Sequence, residues 1–125
     1  MKPLIVVTND DGITSAGLWA AVEAVAPLGE VLVVAPDRQW SGAGRAMPYA
    51  VTGKITPVTS RVGGQSVTAF AVDASPALAV EHAILELAPR RPDLVISGIN
   101  FGANVSIEVT ISGTVGAALE AAAFG

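Results

Sequence analysis

The chain contains no cysteine. That absence excludes a disulfide framework, a thiolate metal site and a cysteine nucleophile together. Charge is also sparse: charged residues make up 14% of the 125 positions, and seven basic against eleven acidic residues leave a net charge of −4. A basic surface that tracks duplex nucleic acid is excluded on this balance, whereas a small phosphate ligand can still be held by a local site or a metal. No uninterrupted apolar run approaches the roughly twenty residues that span a bilayer. The N-terminus meets Asn9, Asp10 and Asp11 too early for the apolar core of a secretory signal. These absences lead to the expectation of a cytoplasmic soluble protein with no membrane partner. Hydrophobic residues, in contrast, make up 51% of the chain and fall in several short segments. Such a chain buries a sheet under helices and is expected to form one domain over residues 1–125.

The stretch that organises the rest is Val6-Val7-Thr8-Asn9-Asp10-Asp11-Gly12. Pro3 to Val7 reads as a strand covered on both faces, because its aliphatic run is continuous and short. Two adjacent carboxylates then stand at its carboxyl end, the end that opens into the ligand crevice of an open α/β sheet. Gly12 lets the chain turn so that both acids approach one point. Two neighbouring carboxylates repel, and a hard divalent cation is the simplest compensation. Asn-Asp-Asp-Gly is equally good turn chemistry, and Asp11 or Thr14 could simply cap the next helix.

Ser15 to about Pro27 follows as a helix, with Leu18, Trp19, Val22, Val25 and Ala26 on one face, Thr14 or Ser15 as cap, and Pro27 and Gly29 as its stop. Glu30 to Ala35 is a second aliphatic strand, which completes a βαβ unit. The loop after it, through Asp37, Trp40, Ser41, Gly42 and Gly44, returns to the edge that carries the aspartates; Trp40 reads as a packing residue. Residues 46–72 alternate polar and apolar side chains about a Gly63-Gly64 turn. They read as an extended, partly exposed β excursion, kept at the sheet edge by Pro48 and Pro57. Ser75 and Pro76 open a second helix running to Ala88, apolar but for Glu81, His82 and Glu86 and therefore expected to be covered over most of its circumference. His82 reads as a surface or locally bonded residue. Arg90 and Arg91 read as a solvated pair near the helix end, and Asp93 to Ser97 as a third buried strand. Gly98 to Asn104 and Ser112 to Ala118 then form the densest polar and small-residue cluster, the second part opening a helix whose first N–H groups favour an anion.

Three strand ends therefore converge, carrying Asp10 and Asp11, then Ser41, then Asn100. The set is all oxygen and suits Mg²⁺, Mn²⁺ or Ca²⁺ rather than a structural zinc. The fold expected is α/β, a Rossmann-like three-layer α/β/α arrangement with a mostly parallel sheet and the added β excursion at about 46–72.

Four blocks occur in order: Thr8-Asn9-Asp10-Asp11-Gly12-Ile13; Ala35-Pro36-Asp37 with Ser41-Gly42; Pro92 to Asn100; and Ser112-Gly113-Thr114-Val115. Together they resemble the stationary-phase survival protein SurE family of metal-dependent nucleotidases. The resemblance covers the N-terminal half of the family pattern. It implies a Rossmann-like core that hydrolyses nucleoside 5′- or 3′-monophosphates to nucleoside and phosphate, with some action on other phosphate esters. It also implies one divalent cation, Mg²⁺ or Mn²⁺, held by Asp10, Asp11, Ser41 and Asn100, and a phosphate or substrate held by Asn9, Gly42, Asn104, Ser112, Gly113 and Thr114. Asp10 or Asp11 would carry the catalytic role, as acceptor of a proton from water or as a nucleophile; the sequence leaves both open. In the family the remaining portion completes the sheet and supplies an arm used in dimer formation, so a homo-oligomer, dimer or tetramer, is implied for the longer form. The chain departs from the pattern at Ala74-Ser75-Pro76-Ala77-Leu78-Ala79, where Gly-Thr-Pro-x-Asp-Cys is usual, and at Ser106, Glu108 and Ile111, which stand for Gly, Asp and Tyr. The alternative reading is a truncated metal- or nucleotide-binding module with little turnover.

Overall fold

The computed structural model describes residues 2–38, 53–99 and 121–122. Strand β1 (Leu4–Thr8) is buried along its whole length. Helix α1 (Ala16–Val25) follows and closes through a short 3₁₀ turn at Ala26–Leu28. Of the two candidate caps, Ser15 is the one used: its side chain accepts a hydrogen bond from the Leu18 N–H, satisfying a donor that the first turn leaves unpaired. Strand β2 (Glu30–Pro36) completes the unit. Strands β3 (Ile55–Val62) and β4 (Gln65–Val72) form a hairpin about Gly63 and Gly64. Helix α2 (Pro76–His82) is capped by Ser75 and widens into a π-helical turn at Ala83–Leu87, before strand β5 (Leu94–Ser97).

These strands form one sheet in the order β3-β4-β2-β1-β5. Pairings of β1 with β2, β1 with β5 and β2 with β4 are parallel, and only β3 with β4 is antiparallel. Two buried clusters lie on opposite faces. Ile5, Val7, Val33, Ala35, Ala69 and Ala71 pack with Leu18, Ala21 and Val22 of α1. Leu4, Val6, Leu32, Val34 and Val72 pack with Ala79 and Ala83 on the α2 side. Alternate residues of β1 thus enter different cores, which is why the strand reads as an unbroken aliphatic run. The result is the α/β/α layering expected of a Rossmann-like fold. No helix among the described residues is long and apolar enough to cross a membrane.

Four local expectations need correction. Of the excursion at 46–72, the described part from residue 53 lies at the sheet edge only in β3, the strand that contains Pro57; β4 lies inside the sheet, parallel to β2, with Val67, Ala69, Ala71 and Val72 buried. Alternating polarity could not reveal this, since the solvent-facing and partner-facing patterns look alike in a strand of small residues. Strand β5 is only partly covered, Leu94 being 50% exposed. The second half of the α2 segment also stands partly clear of the core, with Leu85 exposed. Arg90, finally, is not simply solvated: it bonds the Glu30 carboxylate at 2.9 Å and the Lys2 carbonyl at 2.6 Å. His82 meets its expectation, lying 3.3 Å from Glu86 one helical turn on.

Candidate functional site

The parallel order β4-β2-β1-β5 brings four strand ends to one edge of the sheet. Thr8 leads there into Asn9-Asp10-Asp11-Gly12, Pro36 into Asp37-Arg38, Val72 into Asp73, and Ser97 into Gly98-Ile99. The connection after β1 is the hub. Asn9 is wholly buried, and its amide closes a ring on one residue: Oδ1 accepts from the Gly12 N–H at 3.2 Å and Nδ2 donates to the Gly12 carbonyl at 3.1 Å. Asn9, expected at the phosphate, is thus seen first as the residue that shapes the turn. Asp10 is 2% exposed and Asp11 half-buried. A carboxylate buried so deeply is tolerated only with partners that compensate its charge.

Neighbouring connections dock onto this hub. The Ile13 N–H donates to the Pro36 carbonyl at 2.8 Å, and Trp19 Nε1 donates to the Ile13 carbonyl at 2.7 Å. Gly12 has φ +101°, and a Cβ there would lie 3.1 Å from the Arg38 carbonyl carbon. Glycine is therefore required twice over, by backbone torsion and by the close passage of the chain three residues before Ser41. On the other side the Gly98 N–H donates to the Thr8 carbonyl at 2.8 Å, and the Ile99 N–H to the Gly17 carbonyl at 3.2 Å. A side chain at Gly17 would collide with the Ile99 carbonyl oxygen. The residue immediately before Asn100 is thus seated on the first turn of α1.

Of the site residues read from the sequence, Asn9, Asp10 and Asp11 stand together at this edge. Ser41, Gly42, Asn100, Asn104, Ser112, Gly113 and Thr114 lie outside the described residues, as does Trp40. Among the described residues no three His, Cys, Asp or Glu side chains cluster as a metal set. The donor set read from the sequence is of another kind, two carboxylates with a hydroxyl and a carboxamide. Thr8 Oγ1 is buried with no hydrogen-bond partner among the described residues. An orphaned hydroxyl next to Asn9 and two residues from a buried acid fits an edge that receives a polar ligand or an ion. The sequence reading placed the loop from Asp37 at this edge but gave no site role to Asp37, Arg38 or Asp73. Asp37, Arg38 and Asp73 join there, Arg38 Nη2 lying 2.6 Å from Asp73 Oδ1 and Arg38 Nε 3.8 Å from Asp37 Oδ1. Asp73 directly follows an aliphatic run, as Asp10 nearly does, and that signal alone could have marked it.

The family model described as survival protein SurE matches residues 5–125. The chain belongs to the SurE family. Among curated relatives, the 5′-nucleotidase SurE of Methanoculleus marisnigri is 50% identical over 123 residues, 98% of this chain and 45% of the relative. That of Methanopyrus kandleri is 50% identical over 118 residues, 94% of this chain and 43% of the relative. Among solved structures, the SurE protein of Aquifex aeolicus superposes with a TM-score of 0.76 at 36% identity, covering 98% of this chain and 48% of that one. The chain therefore spans slightly less than half the length of these SurE relatives.

Proposed function

We propose that this chain carries the site of a divalent-metal-dependent phosphomonoesterase that hydrolyses nucleoside 5′- or 3′-monophosphates to nucleoside and phosphate. One observation carries the reading. The residue that leads toward Ser41 packs on the connection that holds Asp10 and Asp11, Arg38 lying against Gly12, and those that lead into Asn100 bond to either side of it, Gly98 to Thr8 at the end of β1 and Ile99 to Gly17 in the first turn of α1. Curated relatives named 5′-nucleotidase support the reaction and the enzyme class.

Asp10, Asp11, Ser41 and Asn100 would hold Mg²⁺ or Mn²⁺, which when bound supplies Lewis-acid neutralisation of the phosphate oxygens. A carboxylate oxygen of Asp10 or Asp11 accepts the proton of the attacking water, the water oxygen forms the new bond to phosphorus as the P–O ester bond breaks, and that proton passes to the departing ester oxygen, which leaves as the nucleoside hydroxyl and restores the carboxylate. Asn9 keeps the acids in place by closing the turn at Gly12. Gly42, Asn104, Ser112, Gly113 and Thr114 complete the reading as donors to the phosphate or to the rest of the substrate. The longer family form is read as a cytoplasmic homo-oligomer.

The test is phosphate release from nucleoside monophosphates after chelation and after Mg²⁺ or Mn²⁺ is restored, with Asp10→Asn in parallel. Turnover should return with metal and fall by about 10²-fold or more in the variant, the scale of losing one electrostatic contact to the transition state. Metal binding without turnover in folded protein selects a binding module instead. Absence of both overturns the site.

A further inference from the structure

We infer that Thr8 is a substrate-binding residue of this site, its hydroxyl donating to a phosphate oxygen when the phosphate group is bound. The inference rests on the nucleotidase reading above and adds one donor to it. Thr8 is the last residue of β1, which lies between β2 and β5, and Asn9, Asp10 and Asp11 follow it directly. Its side chain is wholly buried, yet Oγ1 has no hydrogen-bond partner among the described residues. The backbone, in contrast, is firmly held. Thr8 stands opposite Ser97 in the ladder with β5, and its carbonyl accepts from the Gly98 N–H at 2.8 Å. The hydroxyl is thus a donor on a rigid support that the described residues leave unused.

The fold by itself asks for valine at this position. Residues alternate between faces along a strand, so Thr8 shares its face with Leu4 and Val6, in the layer that also holds Val34, Val72 and Val95. Valine has the shape of threonine and the same stiffness at χ1. It would continue the run Leu4-Ile5-Val6-Val7 and bring no polar atom into an apolar layer. An unsatisfied hydroxyl in its place lowers the stability of the free chain. A bound phosphate reverses the balance, because its charged oxygens accept stronger hydrogen bonds than neutral groups do. The approach is from the carboxyl edge, since β2 and β5 flank Thr8 and Val6 lies behind it. Threonine at position 8 is therefore explained by the bound state and not by the free one.

The experiment compares Thr8→Val and Thr8→Ser with the wild-type chain in two measurements. One is thermal unfolding without phosphate or metal; the other is calorimetric titration with inorganic phosphate in the presence of Mg²⁺. Thr8→Val should raise the unfolding midpoint by about 4–11 °C, the effect of relieving one unsatisfied buried group in 125 residues. It should also weaken phosphate binding about tenfold or more, the loss of one bond to a charged acceptor. Thr8→Ser should unfold below the wild type, because it gives up a buried methyl group. It should bind phosphate within about twofold of the wild type, because the hydroxyl remains. A purely structural role moves stability and affinity together, whereas this role moves them in opposite directions. A midpoint that does not rise in Thr8→Val means that the hydroxyl is bonded within the free chain, and overturns the inference. Wild-type phosphate affinity in Thr8→Val overturns it too, as does a loss in Thr8→Ser as large as that in Thr8→Val. These outcomes leave the nucleotidase reading standing where the wild type releases phosphate from nucleoside monophosphates. A wild type that neither binds phosphate nor releases it overturns both.

Discussion

Replacing Gly12 by alanine tests whether the β1 exit is the hub on which the edge is assembled. At φ +101° an added Cβ would lie 3.1 and 3.2 Å from the carbonyl carbon and oxygen of Arg38. Left-handed torsion costs an alanine about 1–2 kcal/mol, and forcing backbone apart in a packed region costs about 1–3 kcal/mol more. The expected loss is thus about 2–5 kcal/mol. Over 125 residues the unfolding entropy is roughly 0.26 kcal/mol/K, so the midpoint should fall by about 8–19 °C. Gly63→Ala is the control. It too has a positive φ, +58°, but nothing lies within 4 Å of its added Cβ. Only the torsional part applies there, partly offset by about 0.4–1 kcal/mol from a less flexible unfolded chain. Thermal unfolding followed by far-UV circular dichroism separates the two. Equal midpoints for Gly12→Ala and Gly63→Ala would refute the close packing of Arg38 on the turn.

Other consequences are as direct. Asn9→Ala removes the acceptor of the buried Gly12 N–H and one of two donors to the Gly12 carbonyl, which keeps the Ser15 N–H, and should cost about 1–3 kcal/mol in urea denaturation. Gly17→Ala drives a methyl group into the Ile99 carbonyl; stability should fall by about 1–3 kcal/mol, and phosphate release should fall further than stability alone explains when assayed where both proteins are folded. Trp19→Phe removes the bond from Nε1 to the Ile13 carbonyl and should cost about 0.5–1.5 kcal/mol, read from the urea midpoint.

The sequence by itself determined the elements whose causes are local. The aliphatic runs at β1 and β2, the Ser15 cap, the Ser75-Pro76 helix start and the Gly63-Gly64 turn each rest on residues within a few positions of one another. Asp10 and Asp11 were legible for the same reason, as acids at the end of a buried strand. Only the tertiary structure decided that β4 inserts beside β2 and carries Asp73 to the edge where Asp10 and Asp11 stand, because a strand's neighbours follow from how the whole sheet is filled. Arg38 finds Asp73 35 positions away, and Arg90 finds Glu30 60 positions away. Neither pair leaves a periodic trace in the chain. Likewise Gly12 and Gly17 look like ordinary turn and helix glycines until Arg38 and Ile99 are laid against them. Local chemistry chose the acids and the turns; the packing of distant backbone against them decided which residues share an edge.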